Sequence, residues 1–300
     1  MVTAMIADIQ PVLDMRMQLG ECPIWHAAES ALYWIDIEGR TVHRLHVASN
    51  KHDSWPMPAQ PGCIAICASG GMVVALRSGI VLLDTTTGQL TPLTDAPYDQ
   101  AVMRFNDGRV DASGRLWLGT MYEPRDRQDA RLFRFERGEL QDTGKCATVS
   151  NGPSFSPDDK TIYHTDTTSH TITAYDFDVD AGSIFGGRIL KSFSRDRGAA
   201  DYGGRPDGGV VDSEGCYWAA MYEGGRLLRL SPEGDILREL KLPVRCPTMM
   251  AFGGDDLRTL FITTVSKDRP PEELARHPLS GYLLSMRVDV PGQFEHAYVP

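Results

Sequence analysis

Asp111-Ala-Ser-Gly-Arg-Leu-Trp117 and Asp212-Ser-Glu-Gly-Cys-Tyr-Trp218 are two copies of one short pattern, a polar turn followed by an aromatic strand. Looser copies occur at Ala27–Trp34, Ala68–Val74, Ser156–Tyr163 and Gly253–Phe261. The last residues of consecutive copies are 40 to 55 positions apart. That period is typical of the four-stranded blades of a β-propeller, and it is too long for most helical solenoid repeats.

A second alternating segment follows each copy, as in Arg131-Leu-Phe-Arg-Phe135 and Arg226-Leu-Leu-Arg-Leu230. Alternation with period two predicts strands, and only Pro271–Ala275 resembles a helical turn. We therefore predict an all-β chain that forms one six-bladed β-propeller domain over residues 1–300. A terminus should close the ring, so the outer strand of the sixth blade is expected from Ala4–Val12 or Phe294–Val299.

The bulk composition excludes several classes of protein. The 300 residues carry a net charge of −10, which argues against a nucleic-acid surface. No apolar run is long enough for a membrane span or a signal peptide, so we expect no membrane partner and a cytoplasmic location. The six cysteines form no C-x-x-C pair, which favours reduced thiols over a zinc site or disulfides. The oligomeric state stays open, with a monomer slightly favoured.

Polar residues recur at one register of the predicted innermost strands. Five of them lie 11 to 13 positions before the aromatic end of their repeat, namely Glu21, Asn106, Asn151, Asp207 and Thr248. In the second repeat the equivalent position is Cys63 or its neighbour. Innermost strands line the central channel of a propeller, so these side chains should form a ring there. Asn or Asp before Gly also forms ordinary turns, but Glu21 precedes Cys-Pro-Ile and fits that explanation least.

A ring of carboxylates and carboxamides needs a partner, because buried polar groups are costly without one. Oxygen ligands suit one divalent metal ion, with Ca²⁺, Mn²⁺, Fe²⁺, Zn²⁺ and Mg²⁺ all open. Three protein ligands would leave positions for water and substrate, as catalysis requires. Other catalytic motifs are missing from the sequence, including the G-x-S-x-G elbow, H-E-x-x-H and the dinucleotide fingerprint.

Four stretches carry a family resemblance: Leu19-Gly-Glu-Cys-Pro-Ile-Trp25, Arg104–Met121 with its Asn-Asp-Gly and Gly-Thr-Met strings, Ser150–Asp158, and Arg205-Pro-Asp-Gly-Gly-Val-Val-Asp212. Over residues 14–290 the chain resembles the senescence-marker-protein-30/gluconolactonase/luciferin-regenerating-enzyme-like family. Tyr163–Thr167 and Phe252–Phe261 are most similar to bacterial pentonolactonases such as xylonolactonase and arabinonolactonase.

The resemblance implies a sugar lactonase with one divalent metal on Glu21, Asn151 and Asp207. It also implies substrate contacts from Arg104 and Asn106, and from Glu123 as in some members. The sequence departs from the family at Cys22, where a second glycine is usual. The expected reaction opens an aldonolactone, a pentono- or hexonolactone, to its aldonic acid. The metal would stabilise charge on the carbonyl oxygen, and Asp207 would also serve as general base.

Two other functions compete with this interpretation. The same metal could support hydrolysis of organophosphates, which related propellers cleave. Alternatively, the propeller could be a calcium-binding or protein-interaction scaffold without chemistry, since fold does not fix function. The hydroxyl-binding character of Arg104 and Asn106 favours lactones over phosphotriesters. The charged ring argues against a pure scaffold, which has no need of a polar channel.

Overall fold

The computed structural model describes residues 9–300. Its strands form six four-stranded antiparallel sheets, and in five of them the neighbouring strands are paired in chain order. The innermost strands are β2 (Gly20–His26), β6 (Pro61–Ile66), β10 (Met103–Val110), β14 (Ser150–Phe155), β18 (Arg205–Val211) and β22 (Pro247–Gly253). Each innermost strand contacts those of both neighbouring sheets, and β2 contacts β22, which closes the ring. The predicted six-bladed β-propeller is thus confirmed.

The remaining strands extend each blade outward. Second strands are β3 (Ala31–Asp36), β7 (Met72–Leu76), β11 (Leu116–Tyr122), β15 (Thr161–Asp166), β19 (Tyr217–Tyr222) and β23 (Thr259–Thr264). Third strands are β4 (Thr41–His46), β8 (Gly79–Leu83), β12 (Ala130–Glu136), β16 (Thr171–Asp178), β20 (Arg226–Leu230) and β24 (Leu284–Arg287). Outer strands are β5 (Lys51–Pro56), β9 (Leu90–Asp95), β13 (Glu139–Ala147), β17 (Ser183–Ser192) and β21 (Ile236–Lys241), with β1 (Gln10–Pro11) in the sixth blade.

The N-terminal segment closes the sixth blade, because β1 pairs with β24 through Gln10 and Pro11. Residues 4–8 of the predicted alternative Ala4–Val12 lie outside the described residues. The C-terminal segment has another role: Tyr298 bridges to Cys67, between the second and third blades. The predicted helical turn at Pro271–Ala275 is a short helix, α1 (Pro271–Arg276). Among residues 9–300, no helix has the length and apolar character needed to cross a bilayer.

The repeated Asp-x-x-Gly-x-x-Trp pattern has a direct structural cause. Oδ1 of Asp111 accepts hydrogen bonds from the backbone N–H groups of Ser113 and Arg115, while its Oδ2 accepts one from Trp117 Nε1 at 2.8 Å. Gly114 takes the left-handed φ of +80° that the tight turn needs. Asp212 and Trp218 repeat this arrangement, also at 2.8 Å. The carboxylate therefore holds both the turn and the buried indole of each strand that follows.

The first blade shows what happens without that aspartate. Ala28 stands six residues before Trp34, where the other two copies have Asp. Trp34 is fully buried, and its Nε1 has no hydrogen-bond partner among residues 9–300. The indole instead stacks against His43 and His52. Aromatic stacking thus takes the place of the hydrogen bond between tryptophan and aspartate in this blade.

Candidate active site

Each innermost strand contains a β-bulge near its beginning. Glu21 and Asn151 directly precede their bulges, whereas Asn106, Asp207 and Thr248 lie within theirs. Bulges commonly re-aim side chains next to active sites. The common register in the sequence therefore corresponds to a β-bulge that the innermost strands share.

The re-aimed side chains meet at one cavity of about 390 Å³. Its polar lining contains Glu21, Arg104, Asn106, Asn151 and Asp207 from the innermost strands, and Arg125, Thr167, Thr168, Arg197, Arg205 and Tyr222 from strand ends and loops. The five innermost-strand residues are each at most 8% exposed. A polar, nearly buried floor under a cavity of this size suits a small polar ligand.

A continuous chain of hydrogen bonds connects four of these residues. Arg104 Nη1 donates to Asn106 Oδ1 at 2.7 Å, and Asn106 Nδ2 donates to Asn151 Oδ1 at 2.6 Å. Asn151 Nδ2 then donates to Asp207 Oδ1 at 2.5 Å and to Thr167 Oγ1 at 2.8 Å. This series of hydrogen bonds fixes side chains from three neighbouring blades relative to one another.

Asp107 supports this series of hydrogen bonds through two hydrogen bonds of its own carboxylate. Its Oδ1 accepts from Gly108 N and its Oδ2 from Gly152 N, both at 2.8 Å. The second bond joins β10 to β14 directly behind Asn151, where Gly152 has a left-handed φ of +57°. Burial raises the pKa of Asp107 to about 6. Asp107 is thus a positioning residue, and its carboxylate does not line the cavity.

The carboxyl groups of Glu21 and Asp207 have unsatisfied oxygens. Only Glu21 Oε2 and Asp207 Oδ1 accept hydrogen bonds from described residues, at 3.1 Å from Cys22 N and at 2.5 Å from Asn151. Burial raises the pKa of Glu21 well above its usual value, and the negative charge of Asp207 adds to the shift. Burial likewise raises the pKa of Asp207 to about 7. Two buried carboxylates at one floor repel each other unless a cation or proton lies between them.

The donor set fits a divalent cation. Within the described part of the chain, no three His, Cys, Asp or Glu side chains form a metal-binding group, so a third side-chain ligand beside Glu21 and Asp207 would come from an amide or hydroxyl of the lining. Asn151 bonds directly to Asp207 and can supply that amide oxygen. Its Oδ1 presently accepts from Asn106, so ligation would require both amides to turn. Two carboxylates and an amide match the preference of hard cations for oxygen.

Arg104 is a buried guanidinium without an ion pair. No carboxylate among residues 9–300 lies within 4.0 Å of it, and its Nη2 contacts only Met121 Sδ at 3.3 Å. Burial lowers the pKa of Arg104. Buried charges are normally paired, so an unpaired one beside a cavity indicates a missing anionic or polar partner.

Two of the predicted residues lie elsewhere. Glu123 binds Arg77 of the second blade, with Arg77 Nη2 to Glu123 Oε1 at 2.5 Å, and it is not part of the cavity lining. Thr248 Oγ1 donates to Gly20 O at 2.6 Å and lies within hydrogen-bond distance of Thr263 Oγ1 at 2.9 Å, so its hydroxyl links neighbouring strands. In the second blade the bulge falls at Gly62, between the paired residues Pro61 and Cys63.

The sequence prediction missed several lining residues. Arg205 occupies the same place relative to Asp207 as Arg104 does to Asn106, a signal that was available in the sequence. Its Nη1 lies 2.6 Å from Glu223 Oε2, and its guanidinium lies over the Tyr222 ring at 4.7 Å. Arg125, Thr167, Thr168 and Arg197 come from connecting loops, where no repeat marks them.

Comparison with known proteins places the chain among relatives that match most of its length. Residues 19–266 match the SMP-30/Gluconolactonase/LRE-like region. The chain is 47% identical over 276 residues to 6-deoxy-6-sulfogluconolactonase of Pseudomonas putida, covering 91% of this chain and 92% of that protein. It is 32% identical to regucalcin of Gallus gallus, with the same coverage.

A solved structure agrees with these relatives. The calcium-binding protein regucalcin of Agrobacterium tumefaciens superimposes with a TM-score of 0.90 at 27% identity, over 96% of each chain. The family match covers most of the sequence and all six blades contribute to it. The chain therefore belongs to the SMP-30/gluconolactonase/LRE-like family.

Proposed function

We propose that this protein hydrolyses a sugar lactone to its aldonic acid, with one divalent metal ion held by Glu21, Asn151 and Asp207. The observation that carries the proposal is the floor of the cavity, where two buried carboxylates with free oxygens lie beside an unpaired buried guanidinium. The name of the Pseudomonas putida relative, 6-deoxy-6-sulfogluconolactonase, supports the reaction class. Gluconolactones derive from a six-carbon acid, so hexonolactones are the first substrates to test.

A lactone is a cyclic ester, and its hydrolysis places negative charge on the carbonyl oxygen. A divalent ion bound here would supply Lewis-acid stabilisation of that charge. Regucalcin from Agrobacterium tumefaciens is described as a calcium-binding protein, which makes Ca²⁺ the first ion to test.

The protein groups would orient the lactone and move protons. Arg104 Nη2 points at no acceptor other than the Met121 sulfur, so it is free to donate to the lactone. Asn106 holds Arg104 and Asn151 in place by hydrogen bonds, and the second lone pair of its Oδ1 can accept from a lactone hydroxyl. Asp207 Oδ2 accepts no hydrogen bond from residues 9–300, so it can accept the proton of the attacking water as general base.

The test is acid release from a panel of lactones, measured before and after removal of divalent ions with a chelator. The panel holds gluconolactone and galactonolactone beside xylonolactone and arabinonolactone. We expect hydrolysis well above the spontaneous rate, loss of that rate on chelation, and recovery with Ca²⁺ or another ion. Chelated protein that hydrolyses lactones at the full rate would contradict the metal assignment. Spontaneous rates throughout would contradict the lactonase and favour a scaffold.

A further inference from the structure

The cavity lining has more positive than negative groups, although the chain as a whole carries a net charge of −10. Four arginines face the cavity, namely Arg104, Arg125, Arg197 and Arg205, against the two carboxylates Glu21 and Asp207. A cavity lined mainly by groups of one charge raises the local concentration of ligands of the opposite charge. The excess of arginine therefore points to an anionic ligand.

Two of these arginines lie at the mouth of the cavity. Arg125 follows β11 and Arg197 precedes β18, and both residues are exposed, unlike Arg104 and Arg205. Among residues 9–300, no carboxylate lies within 4.0 Å of the Arg125 guanidinium. Arg125 is thus an unpaired cation directed at the site.

Arg197 is only loosely paired. Its Nε lies 3.9 Å from Glu223 Oε2, and its side chain is 58% exposed. The same Glu223 oxygen is already held by Arg205 at 2.6 Å. Arg269 Nη1 also lies 3.9 Å from Glu223 Oε1, so a single carboxylate serves three arginines, which leaves positive charge at the mouth for a ligand.

Neighbouring arginines on the same loops behave differently. Arg127 pairs with Asp129 at 3.1 Å and lies over the Tyr122 ring at 4.6 Å. Arg195 donates to the Thr168 backbone oxygen at 3.3 Å. Neither lines the cavity. The loops thus offer two cavity-facing arginines and two matched controls.

An uncharged sugar lactone would use hydroxyl-binding groups and has no need of free guanidinium groups at the mouth. Guanidinium groups match the oxygens of sulfonate, phosphate and carboxylate by paired hydrogen bonds. The carboxylates of the floor would repel such a group near the ester, so it belongs at the other end of the substrate. We propose that Arg125 and Arg197 bind an oxyanion substituent remote from the ring ester, so that the preferred substrates are anionic sugar lactones.

This inference rests on the proposed lactonase function. Its kinetic test compares kcat/KM for gluconolactone with kcat/KM for gluconolactones that carry a sulfonate or a phosphate at C6, and for a lactone with a terminal carboxylate. We expect at least one anionic lactone to be preferred by about 100-fold, and Arg125→Gln or Arg197→Gln to lower its kcat/KM about tenfold each. Rates on gluconolactone should fall much less in both variants, because it carries no oxyanion for these guanidinium groups. The ranking of the three anions identifies which oxyanion the mouth accepts.

Two control variants, Arg127→Gln and Arg195→Gln, remove the same charge from the same loops. They should leave all rates unchanged. Equal rates on neutral and anionic lactones would overturn the proposal. It would also be overturned if the cavity-facing variants lowered all rates alike, or if the control variants reproduced their effect.

A binding measurement separates this inference from the lactonase itself. Calorimetry would compare methyl 6-deoxy-6-sulfoglucoside with methyl glucoside, neither of which contains an ester. Binding of the sulfonate compound that weakens about tenfold in Arg125→Gln and Arg197→Gln supports the anion site even if no lactone is hydrolysed. Equal, weak binding of both glycosides to the unaltered protein would overturn the anion site even if the lactonase is correct.

Discussion

The two ends of the central channel share the strands β10, β14 and β18, and the open end also includes Glu21 of β2, yet buried charge is treated in opposite ways at the two ends. At the open end lie Arg104, Asn151 and Asp207, with unpaired charge facing a cavity of about 390 Å³. At the closed end, residues 293–296 cover the strands and leave only about 30 Å³. There Arg109 forms an ion pair with Glu295, each side chain about 10% exposed. Charge is paired where the fold needs stability and left unpaired where a ligand is expected.

The strongest contrast comes from changing one carboxylate to its amide at each end. Asp207→Asn removes the proposed base and a metal ligand, so we expect kcat to fall by about 1,000-fold. Its free energy of unfolding should stay the same or rise, because repulsion from Glu21 is relieved. Kinetics and urea unfolding of the same preparation check both statements, and near-normal turnover would refute the base assignment.

Glu295→Gln is the matched change at the closed end. It leaves the Arg109 guanidinium buried without its partner, so we expect the free energy of unfolding to fall by about 3 kcal/mol. Lactone hydrolysis by the folded variant should be unchanged. A stable Glu295→Gln protein with impaired catalysis would show that the two ends are not separate in function.

Two arginines allow a second comparison. Arg104→Met removes a buried cation that has no ion pair, so we expect a change in unfolding free energy below about 1 kcal/mol, together with a loss of about 100-fold in kcat/KM. Arg109→Met leaves the Glu295 carboxylate without its ion-pair partner. We therefore expect the free energy of unfolding to fall by about 3 kcal/mol, with little effect on kcat/KM. A loss of stability in Arg104→Met as large as that in Arg109→Met would contradict the assignment of Arg104 as an unpaired cation.

The smallest expected effect concerns pH. His164 lies directly behind the open end, with its Nε2 2.6 Å from Ser150 Oγ, and burial lowers its pKa from 6.5 to about 4. The unfolded chain binds the proton first, so the contribution of His164 to stability should fall as the pH drops from 6.5 to 4, by at most about 3 kcal/mol, while the raised pKa values of Asp107 and Asp207 act in the opposite direction. The difference in unfolding free energy between the unaltered protein and His164→Gln should therefore change with pH over this range. A constant difference would mean that His164 is protonated in the folded protein.

The fold could be predicted from the sequence because its signal is repeated. Asp111 and Asp212 hold the same turn and the same indole, so two copies suffice to reveal the period. Glu21, Asn106, Asn151 and Asp207 were also predictable, since each lies at a bulge of equal register.

The rest of the site depends on loops and on partners that no repeat encodes. Glu123 was expected at the substrate; in the structure it pairs with Arg77 from another blade and is not part of the cavity lining. Arg125 and Arg197 face the cavity because of loop conformation, including the left-handed φ of 58° at Arg125. Sequence spacing carries no information about such contacts.

The central claim is that Glu21, Asn151 and Asp207 hold a divalent ion at the open end. Its most direct test is calorimetric titration of Ca²⁺ into chelator-treated protein, with Glu21→Gln as the isosteric variant and Glu295→Gln as the control for a carboxylate lost at the closed end. We predict one ion per chain, with affinity at least about 100-fold weaker in Glu21→Gln, since changes outside the ligand shell already cost 10- to 100-fold. Glu295→Gln should bind like the unaltered protein. Undiminished binding by Glu21→Gln would contradict the account.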